Sequence, residues 1–196
     1  YSYAYPKGFD YATLRKMYER GFRVLVWGVE SGCQKTLDKM NKGTNVAEIG
    51  QILKDSSNAG ITNVAFIMFG FPGETKEQAN QTVEFLRKNS EHIERHASTQ
   101  FRLEENSPIW MKPSKWGIVR SGFDYQITEG MSREDTDRFL KNLNKKNIKT
   151  ARNTKYYMPG DSEMRAYFFM QVVYGEGQGD CPVRNGILVD DTIWPS

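Results

Sequence analysis

Cysteine and histidine are scarce in this sequence. Its 196 residues include two cysteines, Cys33 and Cys181, and two histidines, His92 and His96. Two cysteines exclude the disulfide framework of a small secreted domain. They also argue against a zinc or iron–sulfur site built wholly within this chain, because such sites take three or four cysteine or histidine ligands. Any cluster chemistry would therefore need ligands from elsewhere.

Long apolar runs and a strong excess of one charge are also lacking. No run approaches the roughly 20 apolar residues that a membrane helix needs. The net charge of +3 is too small to predict nucleic-acid binding. Low cysteine content without a secretory signal is typical of a cytoplasmic protein. The first residue is Tyr1 rather than methionine, which predicts a processed protein or an excised part of a larger one.

What the sequence does contain is an alternation of helices and short buried strands. The apolar runs Arg23–Glu30 and Ile61–Phe69 are typical of buried parallel strands, and Ala97–Leu103 predicts a third strand with one polar face. Helices are predicted after Asp10, over Gln34–Met40, after the capping box Asn45/Glu48 and after the capping box Thr75/Gln78. Strand starts about forty residues apart are typical of βαβ units. The sequence therefore predicts an α/β fold with largely parallel strands.

The regular pattern ends near Glu104, which divides the chain into residues 1–104 and a C-terminal extension, 105–196. In the extension, Asn106–Gly122 predicts a long loop, and Ser132 with Asp135 predicts the start of a helix. The segment Asp161–Tyr174 fits a helix or a strand equally well. We expect an irregular α+β tail.

Two glycine-rich turns follow the first two predicted strands. Glu30 lies in the turn Gly28–Gly32, where its carboxylate could bind ligand hydroxyl or amino groups, or could only cap the next helix. The turn Gly70–Thr75 could present backbone N–H groups to an anion, or could be an ordinary strand-to-helix connection. Because parallel strands end at the same edge of a sheet, the two turns together favour a shared ligand site.

Other candidate groups have simpler interpretations. Cys33 stands near a predicted helix start, where a small packed residue is a better interpretation than a reactive thiol. His92 and His96 have helical spacing, but no third metal ligand accompanies them, which favours a solvated helix end. The basic residues of 142–149 are interpreted as a solvated face.

Four segments occur in an order and spacing that resemble a known family: 24–34 (VLVWGVESGCQ), 37–43 (LDKMNKG), 59–61 (AGI) and 66–75 (FIMFGFPGET). Together they resemble the later half of the barrel of radical S-adenosylmethionine (radical SAM) enzymes. The resemblance is greatest to the branch that includes cobalamin-binding members, the methylthiotransferases and the oxygen-independent coproporphyrinogen oxidases. It covers residues 10–103, about half of the chain.

The resemblance implies a partial (β/α) barrel of the TIM type, with Arg23–Glu30 as its fourth strand. In this family an upstream loop with the spacing C-x3-C-x2-C holds a [4Fe–4S] cluster, which binds and cleaves S-adenosylmethionine. The chain lacks that triplet. The resemblance therefore implies a fragment whose missing N-terminal half carries the cluster, and which is inactive alone. Cobalamin is a candidate further cofactor of the whole protein.

The resemblance also assigns candidate cofactor-binding residues. Glu30, with Ser31 beside it, matches the fourth-strand position that contacts S-adenosylmethionine. Lys42 falls where some relatives place an arginine that meets the carboxylate of the cofactor. Phe66 replaces an aspartate of some relatives, so that contact is not expected here. The turn expected near the adenosine end of the cofactor consists of Gly70, Phe71, Pro72 and Gly73.

Two other functions remain open from the sequence. The chain could be a non-catalytic α/β binding or scaffold module, or a small complete enzyme that uses Glu30 and the glycine turn. We further expect Arg23–Glu30 to present an unpaired sheet edge, through which two copies could form a homodimer. The sequence identifies neither the substrate nor the reaction subtype.

Overall fold

The computed structural model describes residues 2–145 and the short segments 183–184 and 187–188. The contacts divide the chain into two compact units. Residues 2–145 lie in one unit. The other contains the antiparallel pair of two-residue strands β7 (Val183–Arg184) and β8 (Ile187–Leu188), described here by itself. Within the described residues, no helix has the length and apolar character needed to cross a membrane.

The larger unit is built on a parallel sheet of four described strands. These are β1 (Ser2–Ala4), β2 (Val24–Glu30), β3 (Thr62–Phe69) and β4 (Arg95–Gln100), hydrogen-bonded in that order. The helices between them are α1 (Tyr11–Glu19), α2 (Gln34–Lys39), α3 (Val46–Asn58) and α4 (Lys76–Lys88). Neighbouring strands follow chain order, as in a (β/α) barrel, whereas a doubly wound sheet reverses its order. The prediction of a partial parallel barrel is confirmed.

One face of the sheet packs against the helices. Alternate residues of β2 and β3 are buried in this core, together with apolar residues of α1, α3 and α4; they include Leu25, Trp27, Val29, Ala65, Ile67, Phe69, Leu14, Ile49, Leu53 and Leu86. A buried amide joins three elements: Asn63 Oδ1 accepts from Trp27 Nε1 at 2.8 Å, and its Nδ2 donates to the carbonyls of Leu53 and His92. All the hydrogen-bonding atoms of this amide are satisfied, so its burial is compatible with a stable core.

Most of the predicted helix caps are present. Asp10 accepts from the Thr13 N–H, and the Thr75/Gln78 capping box is complete. Asn45 also caps α3, but the predicted box with Glu48 is wrong. The Glu48 carboxylate accepts from Gly8 N at 3.2 Å, and so binds the chain entering α1 instead of the Asn45 amide.

The expected unpaired edge at β2 is wrong. Strand β1 pairs in parallel with β2, placing Ser2, Tyr3 and Ala4 opposite Leu25, Val26 and Trp27. The sequence gives no sign of β1, because three residues cannot display an alternating pattern. The outer strand on this side of the described sheet is therefore Ser2–Ala4. Dimerisation through an open edge remains a prediction, and it now concerns this strand.

The segment after β4 contains more structure than the predicted loop Asn106–Gly122. It forms a short helix α5 (Pro108–Met111), a 3-10 turn (Pro113–Trp116) and a hairpin of β5 (Ile118–Ser121) and β6 (Asp124–Ile127). Helix α6 (Arg133–Lys145) follows, capped by Ser132 and Asp135 as predicted. The segments 146–149 and Asp161–Tyr174 lie outside the described residues. The boundary between residues 104 and 105 stays a prediction.

Helix α6 packs against β4 and β3. The Phe139 and Phe69 rings are 5.3 Å apart, and Gln100 Nε2 donates to the Arg133 carbonyl at 2.6 Å. Helix α6 therefore stands where the barrel pattern places the helix after β4. Residues 101–132 form a long insertion in this βα connection, at the carboxyl end of the strand.

The interpretation of the two histidines as one solvated helical face is wrong. His92 lies in the turn before β4, and His96 lies within β4 and is only 6% exposed. Burial lowers the pKa of His96 to about 4, so the ring is neutral at physiological pH. Its Nδ1 lies 3.0 Å from the Ser98 hydroxyl, on the same face of the strand.

Candidate active site at the carboxyl ends of the strands

Glu30 ends β2 in an unusual backbone conformation. Its φ is 64°, in the left-handed region, and the pairing with β3 is irregular between Gly28 and Glu30. A non-glycine residue in this region costs about 1–2 kcal/mol, so the surrounding structure must hold it. The carboxylate turns back over Gly28: a Cβ on that glycine would lie 3.4 Å from Glu30 Oε1. The Glu30 carboxylate thus lies next to Gly28, at the end of the strand.

Glu30 and Lys42, which the family resemblance assigns separately to the cofactor, lie in contact with each other. Lys42 Nζ donates to Glu30 Oε1 at 2.9 Å, with the two side chains 35% and 18% exposed. Lys42 reaches this position because α2 ends tightly, with Asn41 at a φ of 54° and the Lys42 N–H bonded to the Leu37 carbonyl. Among the described residues, nothing is hydrogen-bonded to Glu30 Oε2. The pair therefore presents one available carboxylate oxygen and an ammonium group.

Ser31 takes a different position. It is fully buried; its hydroxyl lies 2.9 Å from the Thr82 hydroxyl of α4 and accepts from the Cys33 N–H. The Gly32 N–H also donates to Thr82. Ser31 thus holds the turn after β2 against α4, so that the turn supports the neighbouring Glu30. Cys33 is buried, as its interpretation as a small packed residue predicts.

The turn Gly70–Gly73 is packed by the protein itself. A Cβ on Gly70 would overlap the Thr136 side chain of α6, and the Gly73 N–H donates to the Glu129 carbonyl at 2.9 Å. Pro72 is buried, and the Phe71 ring contacts Phe101 and Trp116 edge-to-face, with centroids 5.5 and 5.8 Å away. These contacts explain the composition of the turn by internal packing. The turn and Glu30 nevertheless end adjacent strands at one edge of the sheet.

Glu74 is a residue of this edge that the sequence analysis did not select. Its side chain is 1% exposed and accepts from the Gly70 N–H at 2.6 Å through Oε2. No described residue is hydrogen-bonded to Oε1. Burial raises the pKa of Glu74 to about 7, against backbone N–H groups of Gly70 and Phe71 that lower it. A glutamate just before a helix is ordinarily exposed, so nothing in the sequence distinguished this one.

The residues of this chain do not fit an iron–sulfur cluster. The described residues contain no group of three histidine, cysteine or acidic side chains that could hold a metal. Cys33 stands alone, and the sequence has only one other cysteine. The Glu30–Lys42 pair, in contrast, fits the polar groups of S-adenosylmethionine, which carries hydroxyl, amino and carboxylate groups.

Comparisons with known proteins agree with this geometry. The family model described as "Radical SAM superfamily" matches residues 5–86. An uncharacterised protein of Methanocaldococcus jannaschii is 32% identical over 74 residues, which cover 37% of this chain and 23% of that protein.

Two solved structures share the fold. Coproporphyrinogen III oxidase (HemN) from Escherichia coli matches with a TM-score of 0.55 at 15% identity, over 72% of this chain and 30% of its own. The radical S-adenosylmethionine methyltransferase TsrM from Kitasatospora setae matches with a TM-score of 0.52 at 19% identity, over 61% and 22%. The matched part of the chain thus spans less than a third of these relatives. The residues that match the radical SAM family model, 5–86, include Glu30, Lys42 and the glycine turn.

Proposed function

We propose that this chain is part of a radical SAM enzyme and forms one wall of its S-adenosylmethionine cleft. The Glu30–Lys42 pair is the observation that carries the proposal. It places an available carboxylate oxygen beside an ammonium group at the carboxyl end of β2, where parallel sheets and barrels bind ligands. Glu30 would accept hydrogen bonds from hydroxyl or amino groups of the cofactor, and Lys42 would bind its carboxylate.

The cluster must be held by residues outside this chain. When bound, S-adenosylmethionine would supply the bond that is cleaved by an electron from the reduced cluster. The residues described here have no part in that electron transfer. The role of this chain is to bind and orient the cofactor. We accordingly propose that its partner is an N-terminal half of the same protein, in the cytoplasm. Cobalamin binding by the whole protein belongs to the proposal too, supported by TsrM, whose structure contains cobalamin and a [4Fe-4S] cluster.

We call the Glu30–Lys42 pair and the strand end that carries it the cofactor wall. Substitutions in this ion pair test whether it binds S-adenosylmethionine. We expect Glu30→Gln and Lys42→Met each to weaken S-adenosylmethionine binding by roughly ten- to hundredfold, because a hydrogen bond to a charged group contributes about 1.5–3 kcal/mol. Isothermal titration of the 196-residue chain measures the change in Kd. Lys35→Met, which removes an exposed lysine of the preceding helix α2, is the matched control and should leave Kd unchanged. Equal affinities for wild type and both site variants would contradict the proposal.

Reconstitution with iron and sulfide tests the division of roles. We expect the isolated chain to give no [4Fe–4S] absorption and no cleavage of S-adenosylmethionine under reduction, because it lacks the ligands. Cluster absorption with cleavage would overturn the proposed division. Loss of S-adenosylmethionine binding in a whole protein that also holds no cluster would favour the scaffold module instead.

A further inference from the structure

The insertion between β4 and α6 encloses a groove that the proposed cofactor wall does not use. It has a volume of about 980 Å³ and is lined by residues 99–105, Trp110, residues 123–125 and Arg133. We call it the β4 groove. It opens at the carboxyl end of β4, two strand positions from Glu30, which corresponds to about 10 Å at the usual strand spacing. Long βα connections at this end of a barrel are where substrate specificity resides.

The floor of the β4 groove is held firmly by a small aromatic core. The Tyr125 hydroxyl donates to the Phe101 carbonyl at 3.0 Å, and the Tyr125 ring packs edge-to-face on Phe101 with centroids 6.1 Å apart. Phe101 in turn packs on Phe71 of the glycine turn. These contacts fix the hairpin to the end of β4. A preformed groove of this kind spares a ligand the cost of ordering its walls.

One cation in the groove, Arg102, has no partner among the described residues. Arg133 is committed, since it binds the Asp124 carboxylate at 2.7 Å and stacks over the Tyr125 ring at 4.6 Å. Arg102 is exposed, and no hydrogen bond or ion pair joins it to the described residues. Its guanidinium is therefore available to an anionic group, for which a planar carboxylate has the matching geometry.

The lining of the groove also includes an exposed aromatic side chain. Phe123 occupies the two-residue loop of the hairpin, between the paired Ser121 and Asp124, and it is 84% exposed. Gly122 takes the left-handed position of this loop, and the Phe123 ring is left exposed to solvent rather than packed in the core. Trp110 also lines the groove and is held by Arg120, which lies 3.4 Å from its ring centroid and donates to its carbonyl. Two aromatic side chains, Phe123 and Trp110, are therefore available in the lining of the groove.

The acidic residues limit the charge of a ligand. Glu104 and Glu105 line the same groove and follow Arg102 in the chain. They repel a ligand with several negative charges, such as a nucleotide or an RNA backbone, more strongly than a ligand with a single anionic group.

We propose that the β4 groove binds a flat aromatic or conjugated ring that carries one carboxylate. Arg102 binds the carboxylate, and Phe123 and Trp110 pack on the ring. Binding of this ligand class does not depend on the proposed function. Its role as the substrate of the enzyme does rest on that function. Residues of the cofactor wall take no part in the binding.

Equilibrium dialysis of the 196-residue chain against 2-naphthoate tests the proposal. We expect saturable binding that is roughly tenfold weaker for the uncharged 2-naphthamide, and undetectable for acetate, which lacks the ring. Arg102→Gln and Phe123→Ser should each weaken 2-naphthoate binding by about tenfold. Two matched controls should not: Arg20→Gln removes an exposed arginine elsewhere, and Val119→Ser removes a 59% exposed side chain of the same hairpin outside the groove.

Several results would overturn the proposal: no saturable binding of 2-naphthoate, equal binding of acid and amide, or binding that survives both groove substitutions. Circular dichroism of each variant confirms that it is folded. Glu30→Gln separates the two proposals, because it should weaken S-adenosylmethionine binding and leave 2-naphthoate binding unchanged. If S-adenosylmethionine does not bind but 2-naphthoate does, the proposed function is overturned and the proposed ligand of the β4 groove stands. If 2-naphthoate does not bind but S-adenosylmethionine does, the proposed ligand is overturned and the proposed function stands.

Discussion

Replacing Gly130 by alanine is expected to destabilise the chain by about 2–5 kcal/mol. Gly130 has a φ of 84°, where an L-residue costs about 1–2 kcal/mol. A Cβ there would also overlap backbone atoms of the glycine turn, 2.7 Å from Gly73 C and 2.8 Å from Glu74 N. Overpacking of this kind costs a further 1–3 kcal/mol or so, and backbone cannot rotate away as a side chain can. The loss is a large share of the stability of an ordinary domain.

Gly122→Ala is the matched control for that substitution. Gly122 is also in the left-handed region, with a φ of 64°, but a Cβ there would meet nothing within 4 Å. We expect it to cost only about 1 kcal/mol, the conformational share alone. Urea unfolding followed by circular dichroism measures both. Equal losses for the two variants would show that the packing of Gly130 on the turn contributes nothing.

Two buried groups are expected to drive the pH dependence of stability in opposite directions. Glu74 has its pKa raised from 4.5 to about 7, so the folded state holds a proton that the unfolded chain has released. The contribution of Glu74 to the free energy of unfolding is complete below pH 4.5 and is lost as the pH rises to 7. His96 has its pKa lowered from 6.5 to about 4 by burial, so the unfolded state binds the extra proton. Its contribution is complete above pH 6.5 and is lost as the pH falls to 4.

Each contribution is of the order of 3 kcal/mol, from the size of the pKa shifts. Between pH 4.5 and 6.5 they offset each other, and the wild-type chain should show little pH dependence there. In Glu74→Gln, which keeps an oxygen to accept from Gly70, the free energy of unfolding should rise by about 3 kcal/mol over this range. In His96→Asn it should fall by a similar amount. Urea unfolding at half-unit pH steps measures the slope of the free energy of unfolding against pH. This slope is unaffected if a substitution lowers stability equally at every pH. Parallel slopes for wild type and both variants would contradict the assignment.

The parts of the fold that the sequence predicts are those with a repeated local signal. Long apolar runs identify β2 and β3, and paired polar residues such as Thr75 and Gln78 identify helix starts. Strands β5 and β6 were not predicted, because only Ile118 and Tyr125 are buried and two residues are too few to form a pattern. The solvated-face interpretation of His92 and His96 fails because their spacing of four fits a helix, whereas the chain there forms a turn and a strand.

The candidate site divides in the same way. The family resemblance selected Glu30 and Lys42 individually, but their ion pair is known only from the structure, since twelve residues of separation and two charges predict no contact by themselves. Glu74 and Arg102 were missed for a different reason. What distinguishes them is burial in one case and the absence of a partner in the other, and both properties exist only in the folded chain.

The contact between the glycine turn and the end of the insertion links two places that the chain separates by more than fifty residues. The Gly73 N–H donates to the Glu129 carbonyl, and the Met131 N–H donates to the Glu74 carbonyl. Two backbone hydrogen bonds therefore join the turn to the insertion. A ligand that shifted the hairpin would therefore strain the turn as well. In that case the proposed ligands of the β4 groove and of the cofactor wall would each alter the affinity for the other by the same factor.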